Sequence, residues 1–428
     1  MRTLSWLSII RMGLIQMCLG AIVVLTTSTL NRLMVVELAL PAVLPGFLVA
    51  LHYGIQITRP NWGFLSDTRG NRTFWIISGM AVLAVGGMLA AVGILVLETR
   101  LGAGLGLSVF AYALIGLGVG ASGTSMLALL ASATHPRRRA AAATITWLMM
   151  IAGIAVTAAV VGTLLDPYSV TLLLRIVAVV TLGAVVLTTL AAWGVEASVD
   201  AAPEPESQPF RQGLSEIWAE PKARHFTLFV FLSMAAYFMQ ELILEPYAGL
   251  VFDFTPGQST SLSGAQNGGV FLGMVLVGTL ATGLRIGTLK TWVVVGCIGS
   301  AVMLTTIGML GRIGPGAPLV LAATGLGLFN GVFAVAAIGS MMALAGEGRK
   351  SREDTRMGLW GAAQAMAAGF GGLAGAAAVD LMRGITDTAT AFGAVFVVEA
   401  GLFALSAFVA LHVMDPAPRS RANIVPGE

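Results

Sequence analysis

The stretch Gly63-Phe64-Leu65-Ser66-Asp67-Thr68-Arg69-Gly70-Asn71-Arg72 is a short polar turn set between two apolar runs, residues 41–60 and 73–97. Gly63 lets a neighbouring helix approach closely, Gly70 permits a tight turn, and Asp67 can sit against the positive end of a nearby helix. Each flanking run is about 20 residues or longer, enough to cross a hydrocarbon core about 30 Å thick. The turn therefore joins two membrane-spanning helices.

Moving outward, the same pattern repeats along all 428 residues, of which 57% are hydrophobic and 11% charged, with a mean hydropathy of +0.87. Soluble domains carry roughly 25% charged residues, so water is not the solvent of this chain. Apolar runs predict helices at 8–34, 41–60, 73–97, 104–133, 140–165 and 170–195, then at 225–250, 262–284, 288–311, 317–345, 355–380 and 388–414. The polar stretch between the two sets is rich in Pro, Glu, Ser and Ala and reads as a solvated linker. The expected organisation is an N-terminal six-helix bundle over 1–195, a cytoplasmic linker over 196–224, and a C-terminal six-helix bundle with a short tail over 225–428. Of the 24 Lys and Arg, 19 fall in the N-terminus, alternate loops, linker and C-terminus; Arg32, Arg100, Arg175, Arg312 and Arg383 fall on the other side. Such a bias predicts that both termini face the cytoplasm. The formal charge of +3 thus signals orientation and not nucleic-acid binding. Cys18 and Cys297 lie within apolar segments and suggest neither a disulfide nor a metal site.

The two halves look like a duplicated unit. Gly116-Leu117-Gly118 matches Gly325-Leu326-Gly327 at an offset of 209, and Trp147 matches Trp360 at 213. Chance self-alignment of low-complexity apolar sequence is the alternative.

The 63–72 turn resembles the cytoplasmic signature of the major facilitator superfamily, whose signature residues here are Gly63, Asp67, Arg69, Gly70 and Arg72. That resemblance implies an all-α integral membrane fold of twelve helices in two six-helix bundles, with Asp67 near the start of the eleventh helix. Thr68 and Asn71 stand where the superfamily usually has Lys or Arg, and the equivalent loop GTLATGLRIGTLK, 278–290, lacks the aspartate. A narrower resemblance lies in TLNRLMVVELALPAVLPGFLVALHYGIQITRPNWGFLSDTRGNRTFWIISGM, 29–80, and in QELILEPYAGLVF, 240–252. Both are similar to the bacteriochlorophyll delivery family, the PucC- and LhaA-like proteins of that superfamily. The resemblance implies a photosynthetic complex assembly factor that binds or delivers bacteriochlorophyll or its precursor to light-harvesting and reaction-centre apoproteins. The implied partners are bacteriochlorophyll synthase, those polypeptides and membrane lipids, with pigment as cargo and no required cofactor.

Polar side chains inside the spans are the candidate site, because each costs a few kcal/mol at mid-membrane unless paired or solvated. Glu241 and Glu245 are four apart on the seventh helix and share a face. An offset of 214 places Asn31 over Glu245, so Arg32 becomes a candidate partner of one glutamate. Asn31, Arg32, Glu241, Glu245 and Asn330 form an expected polar pole, serving either a cargo head group or a salt bridge that joins the halves. His52, inside the second helix, is a candidate magnesium ligand for a chlorin or else a hydrogen-bonding residue toward a neighbouring helix. Glu399 is isolated in the twelfth helix. Abundant small-x-x-x-small spacing, as at Gly269 and Gly273 or Gly327 and Gly331, points to close helix packing.

No phosphate loop, zinc spacing or nucleophile elbow occurs, which argues against an enzyme. Two other functions stay open. A proton-coupled carrier of a small solute should carry several ionisable side chains at mid-membrane in the first, fourth, seventh and tenth helices, of which the fourth and tenth offer Gly, Ala, Ser and Met with Asn330 the most polar, and a pigment-free assembly scaffold is not separable from delivery.

Overall fold

The computed structural model describes residues 3–59, 62, 71–135, 138–199, 221–284, 286–346 and 353–413. Gly63, Asp67, Arg69 and Gly70 of the signature turn lie outside the described residues, as does most of the expected linker.

Among the described residues the long elements are twelve helices: α1 Trp6–Glu37, α2 Val43–Thr58, α3 Arg72–Thr99, α4 Leu101–Ala133, α5 Arg139–Leu164 and α6 Val170–Ala192 in the first half, then α7 Pro221–Phe252, α8 Pro256–Val277, α9 Leu289–Leu310, α10 Leu319–Gly346, α11 Glu353–Arg383 and α12 Thr388–Val413 in the second. All but α2 are long and apolar enough to cross a membrane on their own; α2 is the shorter apolar helix of the set. Local chemistry fixes several starts. The Asn71 side chain accepts from the Phe74 N–H at the head of α3, and α8 opens with a Thr255/Gln258 capping box followed by Pro256. Leu321 and Leu381 are 73% and 74% exposed, an arrangement that water would penalise and lipid does not.

Helix packing repeats with a shift of six. In the first half α1 packs on α5 and α6, α2 on α4, and α3 on α4 and α6; in the second half α7 packs on α11 and α12, α8 on α10, and α9 on α10 and α12. Between halves α5 meets α8 and α2 meets α11. This is the two-bundle arrangement of the major facilitator fold. The Gly-Leu-Gly repeat is corrected in register: Gly116 packs on α2 and Gly118 on α3, whereas Gly325 packs on α9 and Gly327 on α8. The two pairs play crossed roles, so equivalence holds between helices and not at the offset of 209.

Close approach is tightest between α8 and α10. A Cβ on Gly327 would lie 1.9 Å from the Gln266 carbonyl oxygen, one on Gly331 2.1 Å from that of Val270, and one on Gly273 2.1 Å from that of Leu328. Backbone therefore meets backbone, as small residues allow in lipid.

Two features shape the centre. α1 contains two π turns, Leu25–Thr29 and Leu33–Glu37, on either side of Leu30–Arg32. α7 contains Pro246, which has no N–H to give the carbonyl four residues earlier, that of Leu242.

Candidate functional site: a polar seam between the bundles

The carbonyl freed by Pro246 is not left bare. Asn31 Nδ2, from the opposite bundle, donates to Leu242 O at 2.8 Å, and Asn31 is buried. One turn earlier on α1 runs Thr26-Thr27-Ser28-Thr29. Ser28 Oγ donates to Glu245 Oε1, and Ser263 Oγ of α8 lies 2.5 Å from the same oxygen and 2.7 Å from Ser28 Oγ. Thr27 Oγ1 is 3.5 Å from Glu241 Oε1, and Thr29 and Thr260 hydroxyls are 3.3 Å apart. Hydroxyls of one bundle thus face carboxyls and hydroxyls of the other.

Arg32 does not pair with Glu241 or Glu245, which corrects the sequence expectation. It forms an ion pair with Glu37, and its second terminal nitrogen donates to Phe254 O at 2.8 Å. The π turns are the reason. In π geometry residues five apart stack, so Glu37 comes to lie over Arg32, while the face of α1 toward α7 carries Ser28 and Asn31 instead. The offset of 214 is realised one turn lower, by Thr27 and Glu241.

The seam continues to the end where α1 terminates. Both Asp380 oxygens, on α11, accept from the Ala42 and Val43 N–H groups at the start of α2, at 3.0 and 2.7 Å. Thr255 Oγ1, heading α8, donates to Asp166 Oδ2 at 2.7 Å, just beyond α5. Asp166, Asp380, Ser28, Ser263 and Glu37 were not anticipated. The run of four hydroxyl residues in an apolar helix was the available signal for Ser28, and Pro246 was the signal for Asn31.

Asn330 is not part of the seam, a second correction. Ser300 Oγ of α9 donates to Asn330 Oδ1 at 2.8 Å, inside the C-terminal bundle, because that face of α10 is turned to α9. Glu399 is fully buried on α12 against the Gln240 backbone of α7, and among the described residues neither of its oxygens has a side-chain partner.

His52 is also corrected. Arg59 donates to Gln56 Oε1, which turns the Gln56 amide nitrogen toward His52 Nε2 at 2.9 Å. Nε2 is therefore the acceptor and Nδ1 carries the proton. With one lone pair used and the other nitrogen protonated, the ring has nothing to offer magnesium; it is 2% exposed and packed edge-on to Tyr53. The partner is on its own helix, four residues on, and not on a neighbour. Arg72, the described member of the signature, is buried at the head of α3, where Glu196 accepts from its backbone N–H at 2.9 Å.

On the lipid-facing flank, α9 and α12 border a groove of about 470 Å³ lined by residues that include Ala301, Ala400, Gly401 and Ala404. A Cβ added to Gly401 meets only open space.

Comparison with known proteins places these features in context. The PUCC protein family profile matches residues 29–417. A Rhodobacter capsulatus protein named bacteriochlorophyll synthase 44.5 kDa chain is 68% identical over 424 residues, covering 99% of this chain and 98% of the relative. Protein PucC of Cereibacter sphaeroides is 27% identical, covering 96% of this chain and 93% of its own length. Among solved structures, a bacterial homologue of the human drug peptide transporters PepT1 and PepT2 superposes with a TM-score of 0.70 at 14% identity, covering 95% and 97% of the two chains. A bacterial homologue of the human lysosomal transporter Spinster, inward-facing and unoccupied, gives 0.68 at 14% identity, covering 96% and 98%. At such identities the structural likeness speaks for the fold alone.

Proposed function

The chain belongs to the PUCC protein family, and from that membership we propose that it is a photosynthetic assembly factor that binds bacteriochlorophyll or its precursor and hands it to light-harvesting or reaction-centre apoproteins. The observation that carries this is the 68% identity, over nearly the whole length of both chains, to a protein named for bacteriochlorophyll synthesis. In this proposal the chain is a carrier and not itself the enzyme; the synthase and the apoproteins are its partners, and it sits in the photosynthetic inner membrane with both termini cytoplasmic.

The shape of the molecule supports an apolar cargo. At the seam between the bundles Glu241 and Glu245 bond to hydroxyls, and Arg32 bonds to Glu37 and to backbone. The α9/α12 groove opens instead toward lipid and is lined by apolar and small residues, among them Ile298, Val302, Val397 and Ala400. A chlorin with an isoprenoid tail is mostly apolar, so its tail fits such a groove better than a sealed aqueous cavity.

Purification in mild detergent tests the proposal: the protein should carry bacteriochlorophyll absorption or bring the synthase or a light-harvesting subunit with it. Gly401→Leu, whose Cβ stands in open space, projects its side chain into the groove, so it should lower bound pigment with little change in thermal stability. Protein free of both pigment and photosynthetic partners, yet capable of pH-driven uptake of a polar solute into vesicles, would overturn delivery.

A further inference from the structure

Three oxygens at the heart of the seam form a closed triangle. Ser28 Oγ, Ser263 Oγ and Glu245 Oε1 each lie within hydrogen-bonding distance of the other two. A triangle has three edges, and each edge needs one proton between its oxygens. A serine hydroxyl supplies one proton, so the two serines supply two; an ionised carboxylate supplies none, and a protonated one supplies the third. With Glu245 ionised, one edge would hold two oxygens in contact with no hydrogen between them. With Glu245 protonated, the three protons run round the ring in one direction and every edge is filled.

Charge balance leads to the same place. Glu245 is 1% exposed, and its second oxygen has no hydrogen-bond partner among the described residues. Arg32 is the charged group that acts on it; further along the seam stand Glu37, paired with Arg32, Glu241 and Tyr237 of its own helix, Tyr53 of α2 beside Glu241, Asp380 of α11 at the head of α2, and Glu399 of α12 against the Gln240 backbone. Arg32 is the cation among them, and it is committed to Glu37 and Phe254 O. A carboxylate here would be a buried charge with no hydrogen-bonded counterion, the costly half of a broken pair.

We infer that Glu245, with Ser28 and Ser263, is a proton-binding site that holds the two bundles together at this seam, and that loss of the proton parts them. Ser28 belongs to the N-terminal bundle while Glu245 and Ser263 belong to the C-terminal one. An ionised Glu245 leaves one edge unfilled and a charge in need of water, and water reaches it only if α1 separates from α7 and α8. The inference does not depend on what the cargo is. Raising pH therefore favours the parted form, and lowering it favours the closed seam.

Two measurements on the full-length protein test this. Infrared spectroscopy at neutral pH should show a protonated-carboxyl C=O band that disappears in Glu245→Gln. Spin labels at Leu101→Cys and Ile313→Cys, exposed on opposite bundles at the end where α1 terminates, report the separation in a Cys18→Ala, Cys297→Ala background. The wild type should gain a longer-distance population as pH rises. Glu245→Gln, a neutral amide of the same shape whose NH₂ can donate to both serines at every pH while one serine donates to the other, should lose that response and stay closed. Ser28→Ala with Ser263→Ala breaks the ring and should shift opening to lower pH. Absence of the Glu245 band, a pH-insensitive wild type, or a Glu245→Gln variant that opens with pH as the wild type does would each overturn it.

Discussion

The contact between α8 and α10 and the seam between α1, α7 and α8 use opposite chemistry. In the first, Gly269, Gly273, Gly327 and Gly331 bring backbones together until no side chain fits. In the second, side chains keep the helices apart and join them through hydroxyls, an amide, carboxyls and one guanidinium. Within a bundle, packing of the first kind has no alternative partner and in lipid is lost only by unfolding; between bundles it recurs where α5 meets α8, with a Cβ on Gly257 falling 2.5 Å from the Gly162 carbonyl oxygen. Hydrogen bonds of the second kind can exchange for bonds to water, so α1 can part from α7 and α8 at the seam while both bundles persist.

The hardest break of this contrast is in the glycine contact. Gly327→Ala would push a methyl to 1.9 Å from the Gln266 carbonyl oxygen, and neither backbone has slack to move. Overpacking of this kind costs typically 1 to 3 kcal/mol and occasionally more, and with backbone on both sides about 3 kcal/mol is expected. Thermal melting in detergent should fall steeply, while Gly268→Ala, whose Cβ meets nothing, should melt with the wild type. Comparable melting of the two variants would show that α8 and α10 are not held by close approach.

A smaller loss is expected at the seam. Arg32→Ala removes the ion pair to Glu37 and the bond to Phe254 O, but Glu37 is 40% exposed and regains water. The cost should be near the value for hydrogen bonds to a charged group, about 1.5 to 3 kcal/mol, and not the full penalty of a stranded buried charge. Arg100→Ala, on an exposed turn between α3 and α4, should be nearly silent. Equal melting of the two would mean that Arg32 does not fasten the bundles.

The fold was legible because its determinants are long and local. Apolar runs set the helices, and α3, α5 and α12 begin and end within a few residues of the expected limits. The site was legible only in part. Glu241, Glu245, Asn31 and Arg32 are conspicuous because charge and amide groups are rare in the spans, and all four come to α1 or α7. Their pairing was not legible, since two π turns change which side chains of α1 stack, and periodicity of 3.6 does not reveal a π turn in advance. Asn330 was misplaced for a related reason: depth can be read from sequence, whereas the face a helix turns to its neighbours depends on tertiary packing. His52 depended on Arg59 and Gln56 at the helix end, a relay that exists only once the 3₁₀ turn Gln56–Thr58 has formed.

The smallest expected effect lies at the rim of the seam, at Asp380. Its two oxygens each take one N–H from the start of α2, so the carboxylate both caps that helix and faces its positive end. Asp380→Asn keeps one acceptor and turns an NH₂ toward the other N–H, so one bond and the charge interaction are lost. A cap of this kind is worth about 0.5 to 2 kcal/mol, and the replacement should cost about 1 kcal/mol. Because the cap comes from α11 and the helix belongs to the other bundle, the loss should appear in bundle separation more than in melting. Spin labels at Leu101→Cys and Ile313→Cys should report a longer mean distance at a fixed pH. Asp387→Asn is the matched control, since Asp387 caps its own helix α12 by accepting from the Thr390 N–H and touches no residue of the other bundle in doing so. A distance change in Asp387→Asn as large as that in Asp380→Asn would show that capping alone, and not the crossing between bundles, governs how tightly this end closes.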